Sequence, residues 1–107
     1  MAAGKIDVAV LGATGSVGQR YIELLDGHPQ FQLAELFGSE RSARKRYAHI
    51  PDWRTKAAPP DAAANMTIKH HEEPVNSPMV FCSLPGGIAK EVESRLASEG
   101  HAVFSNA

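Results

Sequence analysis

The sequence is poor in the features that would place it outside the cytosol. A single cysteine excludes an internal disulfide framework and is typical of a reducing compartment. The apolar segment that starts at Ile6 meets glycine within a few residues, which leaves no room for a targeting sequence or a membrane span. The formal net charge is only −1, so no field would attract nucleic acid or an anionic membrane. We therefore expect a cytoplasmic protein that binds neither.

The chain also lacks the length for two domains. Its 107 residues suit one small domain, and a hydrophobic content of 43% is that of an ordinary globular protein. A chain this short buries only a modest share of its surface. We expect marginal stability unless something else covers it.

Within this length, strand-like and helix-like segments alternate. Residues 5–11 form a short apolar segment between Gly4 and Gly12, which predicts a strand. Apolar residues then recur at helical spacing over 16–26, and residues 31–37 alternate like a second strand. A strand, a glycine turn, a helix and a strand within about 30 residues make a βαβ unit, which requires a parallel sheet.

The second half repeats the alternation after an irregular stretch over residues 38–65. Further strands are predicted at 66–70, 79–84 and 101–104, with a helix marked by Ile88, Val92 and Leu96. Only about eight residues, 71–78, separate the third and fourth strands, too few for a helical crossover, so we expect an irregular link and an edge position for the third strand. The fold class is α/β: a doubly wound, Rossmann-like parallel sheet of five strands in the order 3-2-1-4-5, incomplete as a domain.

The glycine turn, residues 12–18, has the sequence G-A-T-G-S-V-G and joins the first strand to the first helix. Gly12 permits a tight turn, Gly15 lets a phosphate approach the backbone, and Gly18 lets the helix pack close to the strand. Thr14 and Ser16 add hydroxyl groups, and Ser16 is also a candidate helix cap. Backbone N–H groups and the helix dipole would bind a pyrophosphate here. The alternative is a tight turn with no ligand.

The stretch after the second strand favours one dinucleotide over another. Residues 38–46 have the sequence G-S-E-R-S-A-R-K-R. Arg41 offers a planar fork to a ribose 2′-phosphate, and Ser39 and Ser42 complete a phosphate pocket. Glu40 competes with this interpretation, because an inward-facing carboxylate would favour NAD. A solvated basic loop would explain the later cations but not the Ser-x-Arg-Ser grouping, so we expect NADP(H).

Other chemically interesting residues are given structural roles. Cys82 lies in an apolar strand, where burial disfavours its thiolate. His70 and His71 have no partner at ligand spacing, so no metal site is expected. Trp53 is expected to pack its loop against the body of the domain.

Several segments together resemble the aspartate-semialdehyde dehydrogenase family, particularly its archaeal and fungal branch. They are G-A-T-G-S-V-G-Q-R-Y-I-E-L-L, H-P-Q-F-Q-L-A-E-L, G-S-E-R-S-A-R-K-R-Y, V-F-C-S-L-P-G-G-I-A-K-E-V-E and A-V-F-S-N-A. The resemblance implies NADPH-dependent reduction of 4-phosphoaspartate to aspartate 4-semialdehyde and phosphate, a step towards lysine, threonine and methionine. It also implies a homo-oligomeric enzyme.

The resemblance further implies roles for individual residues. The pyrophosphate would be held by Thr14, Gly15, Ser16 and Val17. The 2′-phosphate would be held by Ser39, Arg41 and Ser42. The ribose and nicotinamide would be bordered by Ser83, Leu84, Pro85 and Gly86, and Asn106 would lie near the nicotinamide. Arg44 stands where the family usually has glycine. The family's catalytic cysteine and histidine lie beyond the S-N-A segment, so we expect no catalytic residue here. Residues 1–107 are then an NADP-binding domain truncated before the catalytic domain, supplying nucleotide binding only.

Three other interpretations compete with this one. N-acetyl-γ-glutamyl-phosphate reductase shares the chemistry and a similar glycine turn. Short-chain dehydrogenases also use G-A-T-G turns, but they need a Tyr-x-x-x-Lys pair, and neither Tyr21 nor Tyr47 is followed by lysine at that spacing. A nucleotide-binding module without catalysis is the third.

Overall fold

The computed structural model describes residues 4–49 and 59–106, and Trp53 lies outside them. The elements, in chain order, are β1 (Ile6–Leu11), α1 (Ser16–Leu25), β2 (Phe31–Gly38), a 3-10 turn (Tyr47–His49), α2 (Asp61–Ala64), β3 (Lys69–His70), β4 (Met79–Cys82), α3 (Gly86–Ser98) and β5 (Ala102–Ser105). No helix in these described ranges has both the length and the apolar character that crossing a membrane requires.

The strands form one parallel sheet in the order β3-β2-β1-β4-β5, which confirms the predicted order. β1 is the central strand, and its residues from Val8 to Leu11 are fully buried because both faces of the sheet are covered there. β2 carries one extra residue relative to β1, since Val8 pairs with Leu33 and Ala9 pairs with Glu35. The bulge therefore falls at Ala34, a weak β-former.

Each face of the sheet has its own hydrophobic core. Along β1, Ala9 and Leu11 belong to the core that α3 covers, whereas Val8 and Val10 belong to the core that α1 covers. The first core also contains Phe37, Val75, Val80, Cys82, Leu84, Ala89, Val92 and Leu96. The second also contains Ala13, Ile22, Leu25, Leu36, Tyr47, Ala63 and Ile68, with Met66 and Met79 packed against it. The alternation of side-chain direction along β1 thus divides its residues between the two cores.

The segment predicted as the third strand divides into two parts. Only Lys69 and His70 join the sheet, where they pair with the end of β2. The residues before them run antiparallel to residues 44–47, through an isolated bridge between Arg46 and Thr67. The pattern therefore predicted the extended backbone of residues 66–70 correctly, but only Lys69 and His70 pair with the predicted neighbour, β2.

The irregular link between β3 and β4 is held by a buried carboxylate, Glu35 of β2, which is 7% exposed. It accepts hydrogen bonds from the backbone N–H groups of Asn76 and Ser77, from the Ser77 hydroxyl, and from Lys69 Nζ at 2.9 Å. Burial opposes ionisation of this carboxyl, but the hydrogen bonds from Ser77, Lys69 and Asn76 outweigh it and lower the pKa of Glu35. As expected, the link contains no helix.

Candidate functional site

A crevice opens where β1, β2 and β4 end. The chain leaves β1 towards β2 on one side of the sheet, whereas β4 continues to β5 on the other, so the strand order reverses between β1 and β4. In doubly wound sheets ligands bind at this switch point. The crevice has a volume of about 380 Å³. Its lining residues are Gly12, Thr14, Gly15, Ser16, Val17, Gly38, Ser39, Ser83, Leu84 and Pro85.

The three glycines of the glycine turn differ in what requires them. Gly12 has φ +80°, and a Cβ there would lie 2.8 Å from the backbone of Ser83. A Cβ on Gly18 would overlap the Gly12 carbonyl oxygen. A Cβ on Gly15 would approach nothing closer than that same oxygen at 3.7 Å, an ordinary contact, and its φ of −80° suits any residue. The protein's own packing therefore requires Gly12 and Gly18 but not Gly15, which is exposed at the crevice.

The crevice receives the N-terminus of α1. The helix starts at Ser16 with Gly15 as its N-cap, and no side chain caps it, so Ser16 is not the cap. The first N–H groups of a helix have no intrahelical acceptor. No acidic side chain lies in the first turn, so the positive end of the helix dipole is not neutralised there. These groups suit an anionic ligand.

Hydrogen bonds from neighbouring elements fix the glycine turn. The N–H groups of Gly12 and Ala13 both donate to the Phe37 carbonyl, at 2.9 and 3.1 Å. Gln19, only 1% exposed, donates from Nε2 to the Thr14 carbonyl at 2.9 Å. The buried Tyr47 hydroxyl donates to the Ala13 carbonyl at 2.6 Å, and burial raises the pKa of Tyr47. The sequence pattern had not singled out either side chain.

The turn after β4 closes the other side of the crevice. The Ser83 hydroxyl donates to the Leu11 carbonyl at 3.0 Å, so it can only accept from a ligand. Leu84 is buried, and Pro85 is the N-cap of α3. Gly86 instead lines a separate groove of about 550 Å³ between α3 and β5. Asn106 is exposed, does not line the crevice, and donates its backbone N–H to the Cys82 carbonyl at 2.9 Å.

The β2 loop, residues 39–46, borders the crevice on the β2 side. Ser39 lines the crevice, and Arg41 is exposed outside it. Ser42 is buried and its hydroxyl donates back to the Ser39 carbonyl at 3.3 Å. Gly38 lines the crevice too, and a Cβ there would overlap the Ser42 hydroxyl. A glycine directly after an apolar strand was the available sign of this close approach.

The β2 loop is tied to residues 66–68 by a short backbone ladder. The Arg44 N–H donates to the Ile68 carbonyl at 2.6 Å, and the Ile68 N–H donates to the Lys45 carbonyl at 2.8 Å. The Tyr47 N–H then donates to the Met66 carbonyl at 2.9 Å. The backbone of the loop is therefore held in place, while the side chains of Arg44, Lys45 and Arg46 are exposed to solvent.

Cys82 is buried, as its place in an apolar strand predicts, and the two histidines lie side by side. Cys82 is fully buried, and burial raises the pKa of its thiol to about 11. The rings of His70 and His71 contact each other with centroids 4.3 Å apart. Over residues 4–49 and 59–106 no three His, Cys, Asp or Glu side chains gather in a group that could hold a metal ion.

The parallel sheet, the glycine turn and the helix N-terminus at the switch point define a dinucleotide-binding α/β domain of the Rossmann type. The family model described as semialdehyde dehydrogenase, NAD binding domain, matches residues 7–107. The chain belongs to that family.

Relatives and solved structures agree with this assignment. The chain is 41% identical to an aspartate-semialdehyde dehydrogenase of Archaeoglobus fulgidus, covering 96% of this chain and 30% of the relative. It is 40% identical to one of Cryptococcus neoformans, covering 96% and 29%. A crystal structure of aspartate-semialdehyde dehydrogenase with NADP from Candida albicans superposes with a TM-score of 0.89 at 36% identity, covering 96% and 30%. The chain thus spans about 30% of the length of the relatives that it matches.

Proposed function

We propose that this chain is the NADP(H)-binding part of an aspartate-semialdehyde dehydrogenase. The observation that carries the proposal is Gly15, a glycine that the fold itself does not require, placed at the N-terminus of α1 on the crevice. A Cβ at this position would make only an ordinary contact, 3.7 Å from the Gly12 carbonyl oxygen, so the position is free for a ligand that must approach the backbone closely. A pyrophosphate has this requirement.

The pyrophosphate would lie against residues 14–17. A helix N-terminus presents unpaired N–H groups and a positive charge of about one half. Thr14 and Ser16 line the crevice and can add hydroxyl donors. Gln19 and Tyr47 fix the carbonyls of this turn, so the N–H groups are oriented before the ligand arrives.

The 2′-phosphate would lie on the β2 loop. Arg41 is exposed beside Ser39, and no hydrogen bond or ion pair within the described residues engages its guanidinium. A guanidinium forms two parallel hydrogen bonds to a phosphate. Ser42 is buried beneath Gly38, so we assign it to the pocket through its support of the loop as well as its hydroxyl oxygen. The Candida albicans relative is a complex with NADP, which favours the same cofactor here.

The nicotinamide end would lie beside residues 83–86, with Asn106 nearby. Bound NADPH would supply a hydride to the acyl carbon of 4-phosphoaspartate, and inorganic phosphate would leave. The residues of this chain bind and orient the cofactor, and we assign no catalytic residue among them. We propose that residues 1–107 are the NADP-binding domain of a cytoplasmic, homo-oligomeric enzyme that binds neither nucleic acid nor membranes.

The relatives also bear on the alternative enzyme. Each relative and structure reported above is named aspartate-semialdehyde dehydrogenase, which favours 4-phosphoaspartate over the N-acetyl-γ-glutamyl phosphate of the similar reductase. A nucleotide-binding module without catalysis would use the same crevice, and it differs in what the rest of the protein does.

Calorimetric titration of NADP+ and NAD+ into the purified chain tests the binding site. Gly15→Val should weaken both nucleotides at least about tenfold, because it blocks hydrogen bonds to a charged group that both share. Gly87→Val is the matched control, since a Cβ there meets nothing within 4 Å and Gly87 does not line the crevice. Unchanged affinity in Gly15→Val would refute the pyrophosphate site.

Arg41→Ala tests the cofactor choice in the same titration. NADP+ affinity should fall by about 1.5–3 kcal/mol, the scale of a charge-assisted hydrogen bond, while NAD+ affinity changes little. An equal loss for both nucleotides would show that Arg41 does not read the 2′-phosphate.

A further inference from the structure

The β2 loop contains one carboxylate that would oppose a 2′-phosphate. Glu40 lies between Ser39 and Arg41, the two residues assigned to that phosphate. A phosphate monoester carries a charge of about −1.5 to −2 at neutral pH, so an unneutralised carboxylate beside it weakens binding. The same carboxylate could accept hydrogen bonds from a ribose 2′-hydroxyl. Where the charge of Glu40 is held therefore affects the choice between the two dinucleotides.

The carboxylate of Glu40 forms an ion pair with Arg44. Glu40 Oε2 lies 2.6 Å from Arg44 Nη2, and Glu40 Oε1 lies 3.7 Å from His70 Nε2. Ser39 lines the crevice, whereas Glu40 does not. The carboxylate of Glu40 is thus directed along the loop towards Arg44 and β3.

His70 supports the arrangement without needing a positive charge. Its Nδ1 accepts a hydrogen bond from the Glu72 backbone N–H at 3.1 Å, so the proton of the neutral ring lies on Nε2, the nitrogen that faces Glu40. The His70 backbone is fixed by its pairing with Gly38 and by a hydrogen bond from its N–H to Glu73 at 2.7 Å.

Arg44 stands at a backbone position that does not favour it. Its φ is +71°, and it is the one non-glycine residue with positive φ in the part of the chain that the structure describes. Glycine adopts this conformation without strain, whereas a side chain is disfavoured there. The Arg44 N–H bonds the Ile68 carbonyl, which keeps the backbone in this state. The loop backbone therefore does not explain why residue 44 is an arginine. The contact that its side chain makes is the ion pair with Glu40.

We propose that Arg44 is a specificity-determining residue, which neutralises Glu40 and holds it off the 2′-phosphate that Ser39 and Arg41 bind. The proposal rests on the NADP(H) binding proposed above. Arg44 acts through Glu40 and does not itself bind the phosphate. Its side chain thereby lets a loop with an acidic residue accept NADP(H).

Four variants of the purified chain test this: Arg44→Gly, Arg44→Gln, Glu40→Gln and the double variant Arg44→Gly/Glu40→Gln. Calorimetry with NADP+ and NAD+ at low ionic strength gives the affinity ratio. Arg44→Gly and Arg44→Gln should each lower NADP+ affinity about fivefold, with NAD+ affinity unchanged or slightly higher, since the pair is solvent-exposed. Glu40→Gln in the Arg44→Gly background should restore NADP+ binding. The loss should shrink as salt is raised.

The outcomes separate this proposal from the one beneath it. Glycine suits the backbone at residue 44, and a circular dichroism melt confirms that each variant is folded. An unchanged NADP+/NAD+ ratio in both Arg44 variants overturns the role of Arg44 while the cofactor proposal stands. Failure of Glu40→Gln to restore binding means that Arg44 contacts the phosphate directly, which also overturns it. A wild-type chain that does not prefer NADP+ removes the cofactor proposal and this one together.

Discussion

The glycine turn and the β2 loop border the same crevice, but they are held in different ways. The glycine turn is fixed by the close approach of its backbone to β2, to Ser83 after β4 and to the first turn of α1, and a Cβ at Gly12 or Gly18 would enter occupied space. The β2 loop is fixed by the backbone of residues 66–68, about twenty positions further along the chain, through hydrogen bonds to Arg44 and Lys45. Close packing of backbone against backbone at two glycines therefore distinguishes the first region, and a backbone ladder to one distant segment distinguishes the second.

The largest expected effect comes from breaking the glycine turn itself. Gly18→Ala places a Cβ onto the Gly12 carbonyl oxygen, and helix and strand must separate to relieve the overlap. We expect a loss of about 3 kcal/mol or more in the free energy of unfolding, the upper range for overpacking. Urea unfolding followed by circular dichroism measures it.

The control for Gly18→Ala is Gly87→Ala, which also adds one methyl group to a helix. A Cβ on Gly87 meets nothing within 4 Å, so this variant should be neutral or slightly stabilising. Equal stability of the two variants would contradict the view that backbone contact fixes the turn.

The order of the sheet could be predicted because it depends on local patterns. The apolar strands and the glycine that follows β1 indicate a parallel sheet, and the short 71–78 link correctly places β3 at the edge. Nine of the residues predicted for the cofactor site line one crevice: Gly12, Thr14, Gly15, Ser16, Val17, Ser39, Ser83, Leu84 and Pro85. They could be found because strand ends of a parallel sheet meet at one edge.

The long-range supports could not be found in this way. Tyr47 and Ala13 are 34 positions apart, and no periodicity connects them. α2 is a single turn, too short to show a helical period, and it lies in the stretch predicted to be irregular. Gln19 is the one support that the sequence could have indicated, because it is a polar residue on the inner side of α1, next to the glycine turn.

The second-largest effect is expected at Glu35, a long-range support outside both regions. Its carboxylate anchors the link that leads from β3 to β4. Glu35→Gln removes the charge but keeps the size of the side chain. An amide cannot accept all the hydrogen bonds that Ser77, Asn76 and Lys69 donate. We expect a loss of about 2 kcal/mol in the free energy of unfolding at neutral pH.

The pH dependence of that loss has a definite sign. The folded-state pKa of Glu35 is lowered from its ordinary value of 4.5, so the stabilisation is complete above that value and disappears as the pH falls through the folded-state pKa. The stability difference between wild type and Glu35→Gln should therefore be constant above about pH 6 and shrink below 4.5. A difference that grows in acid would argue against an ionised Glu35.

The smallest expected effect comes from the bond that joins the two regions. Tyr47→Phe removes the hydroxyl that donates to the Ala13 carbonyl at 2.6 Å and leaves the ring in the core. A buried carbonyl without its donor costs about 1–2 kcal/mol, so unfolding should become easier by this amount. Because the bond fixes the glycine turn, which would hold the pyrophosphate common to both nucleotides, the affinities of NADP+ and NAD+ should fall together. Tyr21→Phe is the control, since within the described residues the contact of Tyr21 is with the Phe81 ring and not through its hydroxyl. A loss confined to NADP+ would mean that Tyr47 acts through the β2 loop and not through the glycine turn.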